Sequence, residues 1–213
     1  MAANAVVTGA PRAMAVAPGP RRRLRPAVGA AMCVVLVAGA TSCSSSHRQA
    51  ALPPRSFPRL ARIFQPEVAG LGLRLTRASL VELTGGDPPR LTGHHLALYV
   101  EPTGQWSDDR YVRTIVPLTA VLARTVFGRW SQLSSFDVCQ EPPPGVDDRP
   151  EPPPVTTVNL TRRAAAAVDW SSADLATLVR AEFRDPGGVH LEVVASLRQD
   201  PTFAVAVARA QAS

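Results

Sequence analysis

The chain has 213 residues, a formal net charge of +6 and a pI near 10.4, and all 23 of its basic residues are arginine. The charge is uneven: residues 1–42 hold five arginines and no acid, whereas residues 66–213 hold 14 arginines and 17 acidic residues. A nucleic-acid-binding surface needs concentrated positive charge, so we expect no nucleic-acid partner. The absence of lysine and the scarcity of isoleucine and asparagine are typical of a GC-rich, actinobacterial-like genome.

The N-terminal residues 1–42 have the pattern of a secretion signal. A basic cluster, "RRRLR" at 21–25, precedes the uncharged stretch "AVGAAMCVVLVAGA" at 27–40. This stretch is shorter than the roughly 20 apolar residues that span a bilayer, and a short apolar core after a basic cluster is typical of a signal peptide. A start at Met14 would give the basic cluster its ordinary position near the N-terminus.

The four residues after this apolar core, Ala40-Thr41-Ser42-Cys43, resemble the lipobox of bacterial lipoproteins. The resemblance implies that Cys43 receives diacylglycerol, that cleavage occurs between Ser42 and Cys43, and that the protein lies lipid-anchored at the outer face of the cytoplasmic membrane. The pattern departs from the family at Ala40, where leucine is usual. The alternatives are an ordinary cleaved signal, an uncleaved anchor or a buried core segment.

Residues 43–65 are predicted to be the lipidated N-terminus and a tether, because three prolines and four arginines are scattered through them. The arginines either attract anionic lipid or are solvated linker charges. The folded domain is predicted to occupy residues 66–213, and "LARIF" at 60–64 is either part of the tether or a short amphipathic turn that packs on this domain.

Strand and helix patterns alternate along residues 66–213. Residues 71–83 and 94–102 alternate in polarity and predict an antiparallel strand pair, with Leu73, Leu75, Val81 and Leu83 on one face of the first strand. A helix is predicted over 110–130, kinked or split by Pro117. Further strands are predicted at 134–140, 155–161 and 187–197, and further helices after a Ser171-x-x-Asp174 capping box and after Asp200-Pro201.

This order predicts a single α+β domain, in which two or three helices pack on one face of a largely antiparallel sheet of about five strands. Between two strands lies the Pro-rich acidic loop 141–154, "EPPPGVDDRPEPPP", in which seven of fourteen residues are proline and four are acidic. Such a segment is predicted to be extended and exposed. It is either a docking arm for a basic or aromatic-lined partner or a stiff loop.

Candidate chemistry is sparse and centres on Cys139, Asp137 and His95. Cys139 is the only thiol that remains when Cys33 leaves with the signal and Cys43 is lipidated. Asp137 and Glu141, expected on the same strand face, raise the pKa of a nearby thiol and disfavour a nucleophile, so a buried, inert cysteine is the main interpretation. Adjacent His94 and His95 point to opposite faces of a strand; no metal and no cofactor are predicted.

Three functions follow from these patterns. The leading hypothesis is a non-enzymatic binding or accessory lipoprotein of the cell envelope, with the membrane and an envelope protein as partners. The second is an envelope enzyme or redox protein that uses Cys139, His95 and Asp137. The third is a structural assembly component that docks through the Pro-rich loop.

Overall fold

The computed structural model describes residues 52–147, 149 and 151–212. These residues belong to one compact unit. The predicted signal peptide, the alternative start at Met14, the cleavage position at Ser42 and the lipidation site at Cys43 lie outside the described residues.

The predicted α+β class is confirmed: the described chain forms a five-stranded sheet and six helices, rather than the two or three helices expected. The strands are β1 (Leu73–Gly85), β2 (Arg90–Pro102), β3 (Leu133–Gln140), β4 (Thr156–Thr161) and β5 (Val189–Val193). The helices are α1 (Phe57–Ala69), α2 (Asp108–Arg129), α3 (Arg162–Ala167), α4 (Leu175–Arg184), α5 (Ala195–Arg198) and α6 (Pro201–Gln211).

The strands lie in the sheet in chain order, β1-β2-β3-β4-β5. Three of the four neighbouring pairs are antiparallel, as expected, and β2 and β3 are parallel because the helix α2 connects them. Alternate strand residues, such as Leu98, Val138 and Val158, join the buried residues of the helices in one hydrophobic core. We call the opposite side of the sheet the outer face.

The folded domain begins earlier than predicted. Helix α1 starts at Phe57, and its residues Leu60, Phe64 and Val68 are fully buried, so the tether does not extend to residue 65. Their spacing of four residues places them on one face of the helix. Pro58, which suggested a linker, lies in the first turn of α1, where the missing backbone N–H is not needed.

Strand β1 contains an irregularity that the alternation does not predict. Leu75 pairs with Val100 and Arg77 pairs with Tyr99, so Thr76 is the extra residue of a bulge. A bulge moves the following residues to the opposite face. Val81, expected beside Leu73 on the core, is therefore 48% exposed, and Leu80 packs against the core instead.

Two local expectations for the helices are also corrected. Pro117 does not split α2, which is helical from Asp108 to Arg129. The capping box of α4 is formed by Asp174 and Thr177 rather than by Ser171 and Asp174. The cap at Asp200 is confirmed, since its side chain accepts a hydrogen bond from the backbone N–H of Thr202.

Candidate functional site

The strand register brings the predicted residues His95, Asp137 and Cys139 together on the outer face. Three rows of side chains cross the sheet at neighbouring positions of each strand. From β1 towards β5, the rows are Arg77-Tyr99-Cys139-Thr157-Glu192, Ser79-Ala97-Asp137-Asn159-His190 and Val81-His95-Ser135-Thr161. His94 lies on the core face and is buried.

His95 is held between two polar side chains of β3. Its Nδ1 lies 2.8 Å from the Ser135 Oγ, and its Nε2 lies 3.4 Å from the Asp137 Oδ2. Ser135 is not among the predicted site residues, although it lies two residues before Asp137 and therefore on the same face of the strand. The arrangement places a hydroxyl, an imidazole and a carboxylate in one line.

The surroundings of Ser135 do not favour a role as a catalytic nucleophile. A serine nucleophile works with donors aimed at the developing oxyanion. Ser135 is the third residue of β3, where it pairs with His95 of β2 on one side and Thr161 of β4 on the other, and it is buried. The geometry therefore fits a structural hydrogen-bonded cluster that joins β2 to β3.

Cys139 is buried and free, and burial raises the pKa of its thiol to about 12, with a further contribution from the negative charge of Asp137. The Thr157 Oγ1 lies 3.7 Å from its Sγ. Because the thiolate is the nucleophilic form, this environment disfavours a nucleophilic role for Cys139. The expected burial of Cys139 is confirmed.

Arg77, which is not among the predicted site residues, connects the Pro-rich loop to the outer face. Its guanidinium lies 3.8 Å from the centre of the Tyr99 ring and forms ion pairs with Glu141 at 3.0 Å and Glu151 at 2.6 Å. Glu141 also accepts a hydrogen bond of 2.6 Å from the Thr76 hydroxyl. Both ends of the loop thus meet one side chain.

The Pro-rich loop is consequently less exposed than predicted. Glu141 is buried, and so is Pro143. A turn closes at Val146, whose backbone N–H donates to the carbonyl of Pro143. Arg77 therefore holds the loop against the domain at Glu141 and at Glu151. Between these two contacts, Pro144, Gly145 and Val146 are exposed.

The outer face opens towards β4 and β5. Thr157 and Asn159 are half-buried, and Glu192 and His190 are exposed. His190 lies 3.0 Å from Glu182 and 3.3 Å from Glu192. This end of the outer face therefore presents polar side chains with hydrogen-bonding groups.

Other kinds of site have little support in the described chain. No group of three His, Cys, Asp or Glu side chains within it could hold a metal ion. A groove of about 550 Å³ lies on the helical side of the domain, between α2 and the segment before α4, and is lined by Val116, Pro117, Arg124 and Trp170 among others. It contains none of the predicted site residues.

Among residues 52–212, apart from the two gaps in the Pro-rich loop, no helix combines the length and apolar character needed to cross a bilayer. Comparison with known proteins identifies no matching family model, no matching curated protein and no matching solved structure.

Proposed function

We propose that this chain is a lipid-anchored protein of the bacterial cell envelope, whose domain binds a partner protein and catalyses no reaction. The non-enzymatic role is supported by the environments of Cys139 and His95 on the outer face. Burial raises the pKa of the Cys139 thiol, and both ring nitrogens of His95 contact side chains of β3. The anchor rests on the resemblance of residues 40–43 to a lipobox.

The anchor would keep the domain close to the membrane. Thirteen residues separate Cys43 from Phe57, where the first helix begins. A fully extended segment of this length spans about 50 Å at most. The partner is therefore expected to be a membrane protein or another protein held at the same surface.

The end of the outer face at β4 and β5 is the proposed contact surface. Its side chains can form hydrogen bonds: those of Thr157 and Asn159 are half-buried, and that of Glu192 is exposed. Such a surface resembles a polar, non-obligate protein interface rather than an apolar ligand pocket. The Pro-rich loop, paired with Arg77 through Glu151, borders this face and would extend the contact.

Replacing Cys43 tests the anchor. In a GC-rich bacterial host, the native protein is expected to lose residues 1–42, to gain the mass of a diacylglycerol group and to enter the detergent phase on partitioning. Cys43→Ala is expected to do none of these, since the acceptor sulfur is absent. Intact-mass measurement of both proteins gives the answer. An unmodified, uncut Cys43 in the native protein would refute the anchor.

Replacing Asn159 tests the contact surface. We expect the Asn159→Arg protein to lose at least tenfold of the partner captured from solubilised envelopes, because a large cation replaces a half-buried amide in the centre of the surface. Ala208→Arg is the matched control, since it adds the same side chain at an exposed position of α6. Partner yields are quantified by mass spectrometry at equal amounts of bait. Equal yields from both variants would remove the outer face from consideration.

A further inference from the structure

Side chains protect the edge of the sheet at β5. The Glu182 carboxylate accepts a hydrogen bond of 2.9 Å from the backbone N–H of Leu191. The Arg198 Nε donates to the carbonyl of Val193 at 2.8 Å. Unpaired edge groups are a template for strand addition, and these two contacts occupy that template.

At the opposite edge, the first part of β1 is protected in the same way. The Gln65 side chain of α1 donates to the carbonyl of Leu73 at 3.3 Å and accepts from the backbone N–H of Leu75 at 2.9 Å. One amide side chain thus satisfies the two groups that a neighbouring strand would bond. Gln65 acts as a substitute for a strand at this point.

The second part of β1, residues 77–85, has no such protection. The Leu83 carbonyl accepts a hydrogen bond from the Thr92 side chain and therefore faces β2. Because backbone groups alternate in direction along an antiparallel strand, those of Ala78, Leu80 and Glu82 face away from the sheet. Within the described chain, no hydrogen bond reaches the outward-facing backbone N–H and C=O groups of these three residues.

We infer that residues 77–85 pair in antiparallel fashion with the same segment of a second copy of this chain, around a two-fold axis at Val81. In this register Val81 lies opposite its own equivalent, and 48% of its side chain is exposed in the single chain. Leu80 and Glu82 of opposite copies then exchange backbone hydrogen bonds. The segment contains no proline that would block such pairing.

The direction of the N-terminal chain favours a second copy over an unrelated peptide. The Arg55 Nη2 lies 3.0 Å from the Glu82 Oε1, so the segment that follows the tether reaches the domain at this same strand. A two-fold pair at Val81 would place both tethers side by side at one membrane. Confinement to a surface raises the effective concentration of the copies; this point alone rests on the proposed anchor.

Disulfide trapping on native membranes tests the pair. In a full-length Cys139→Ser background, Val81→Cys is expected to form a covalent dimer in more than half of the molecules under mild oxidation, because opposed Cβ atoms lie about 5 Å apart. Ser79→Cys is the register control. Ser79 lies two residues before the two-fold axis in each copy. The two Ser79 positions are therefore four residues, or about 13 Å, apart along the strands, which is too far for a disulfide.

A second control excludes random collision at the membrane. Leu91→Cys lies on β2 with 58% of the native side chain exposed, more than Val81, and is expected to remain monomeric. Adding Glu82→Pro to Val81→Cys removes an edge donor and should abolish the dimer, whereas Glu82→Gln should not.

Three results would overturn the inference: no dimer from Val81→Cys, equal dimers from Leu91→Cys, or a cross-link of Val81→Cys to a different protein. Detergent partitioning of the same samples reports separately on the anchor.

Discussion

A chain shortened to begin at residue 66 is expected to be unfolded in solution, whereas a chain that begins at residue 52 is expected to fold. The shorter chain lacks Leu60 and Phe64, both fully buried in the core. Removing large apolar side chains from a core costs about 2–5 kcal/mol each, and the whole stability of a domain is about 5–15 kcal/mol. The two losses together approach or exceed the available free energy of folding.

Circular dichroism with thermal unfolding distinguishes the two chains. The chain from residue 52 should unfold cooperatively, and the chain from residue 66 should show no transition. Leu60→Ala with Phe64→Ala in the longer chain separates lost packing from lost length. Arg59→Ala with Arg62→Ala, at exposed positions of the same helix, is the matched control. A cooperative transition of the chain from residue 66 at a similar temperature would contradict the expected result.

The sequence predicts the elements whose pattern is local and repetitive. The alternation in 94–102 places Leu96, Leu98 and Val100 on the core, and the structure confirms it. The prediction that the tether includes residues 57–65 was wrong. Prolines are typical of linkers, but Pro58 lies in the first turn of α1, where a helix tolerates proline. The packing of Phe64 against Trp130, with ring centres 5.8 Å apart, is one of the contacts that join α1 to the domain.

The face of β1 beyond Thr76 could not be read from the alternation, because a bulge is fixed by tertiary contacts. The Thr76 hydroxyl donates to Glu141, which is 65 positions further along the chain. The placement of Asp137 and Cys139 on one face of β3 followed from strand parity. Their environment did not, because the proximity of His95 to Ser135 depends on the parallel register of β2 and β3.

Arg162 is a further residue whose role only the structure reveals. The guanidinium donates to the carbonyls of Phe127 and Leu133, each at 3.0 Å, and to that of Trp130. The last carbonyls of a helix have no partner within the helix, so one side chain of α3 satisfies the end of α2 and the start of β3. Burial lowers the pKa of Arg162, which fits a side chain inserted between elements.

Arg162→Ala is expected to lower the free energy of unfolding by about 3 kcal/mol, because three carbonyls lose a charged donor and unsatisfied buried groups cost about 1–3 kcal/mol each without full additivity. Arg162→Lys should lower the free energy of unfolding by about half as much. The compact ammonium of lysine cannot reach all three carbonyls that the planar guanidinium reaches. Urea unfolding of the chain from residue 52 measures both. Arg163→Ala, the neighbouring substitution that removes an exposed ion pair with Asp185, should cost less than about 1 kcal/mol. If Arg162→Ala costs no more than this control, the three carbonyls are satisfied by solvent, and α2, α3 and β3 are joined by apolar packing alone.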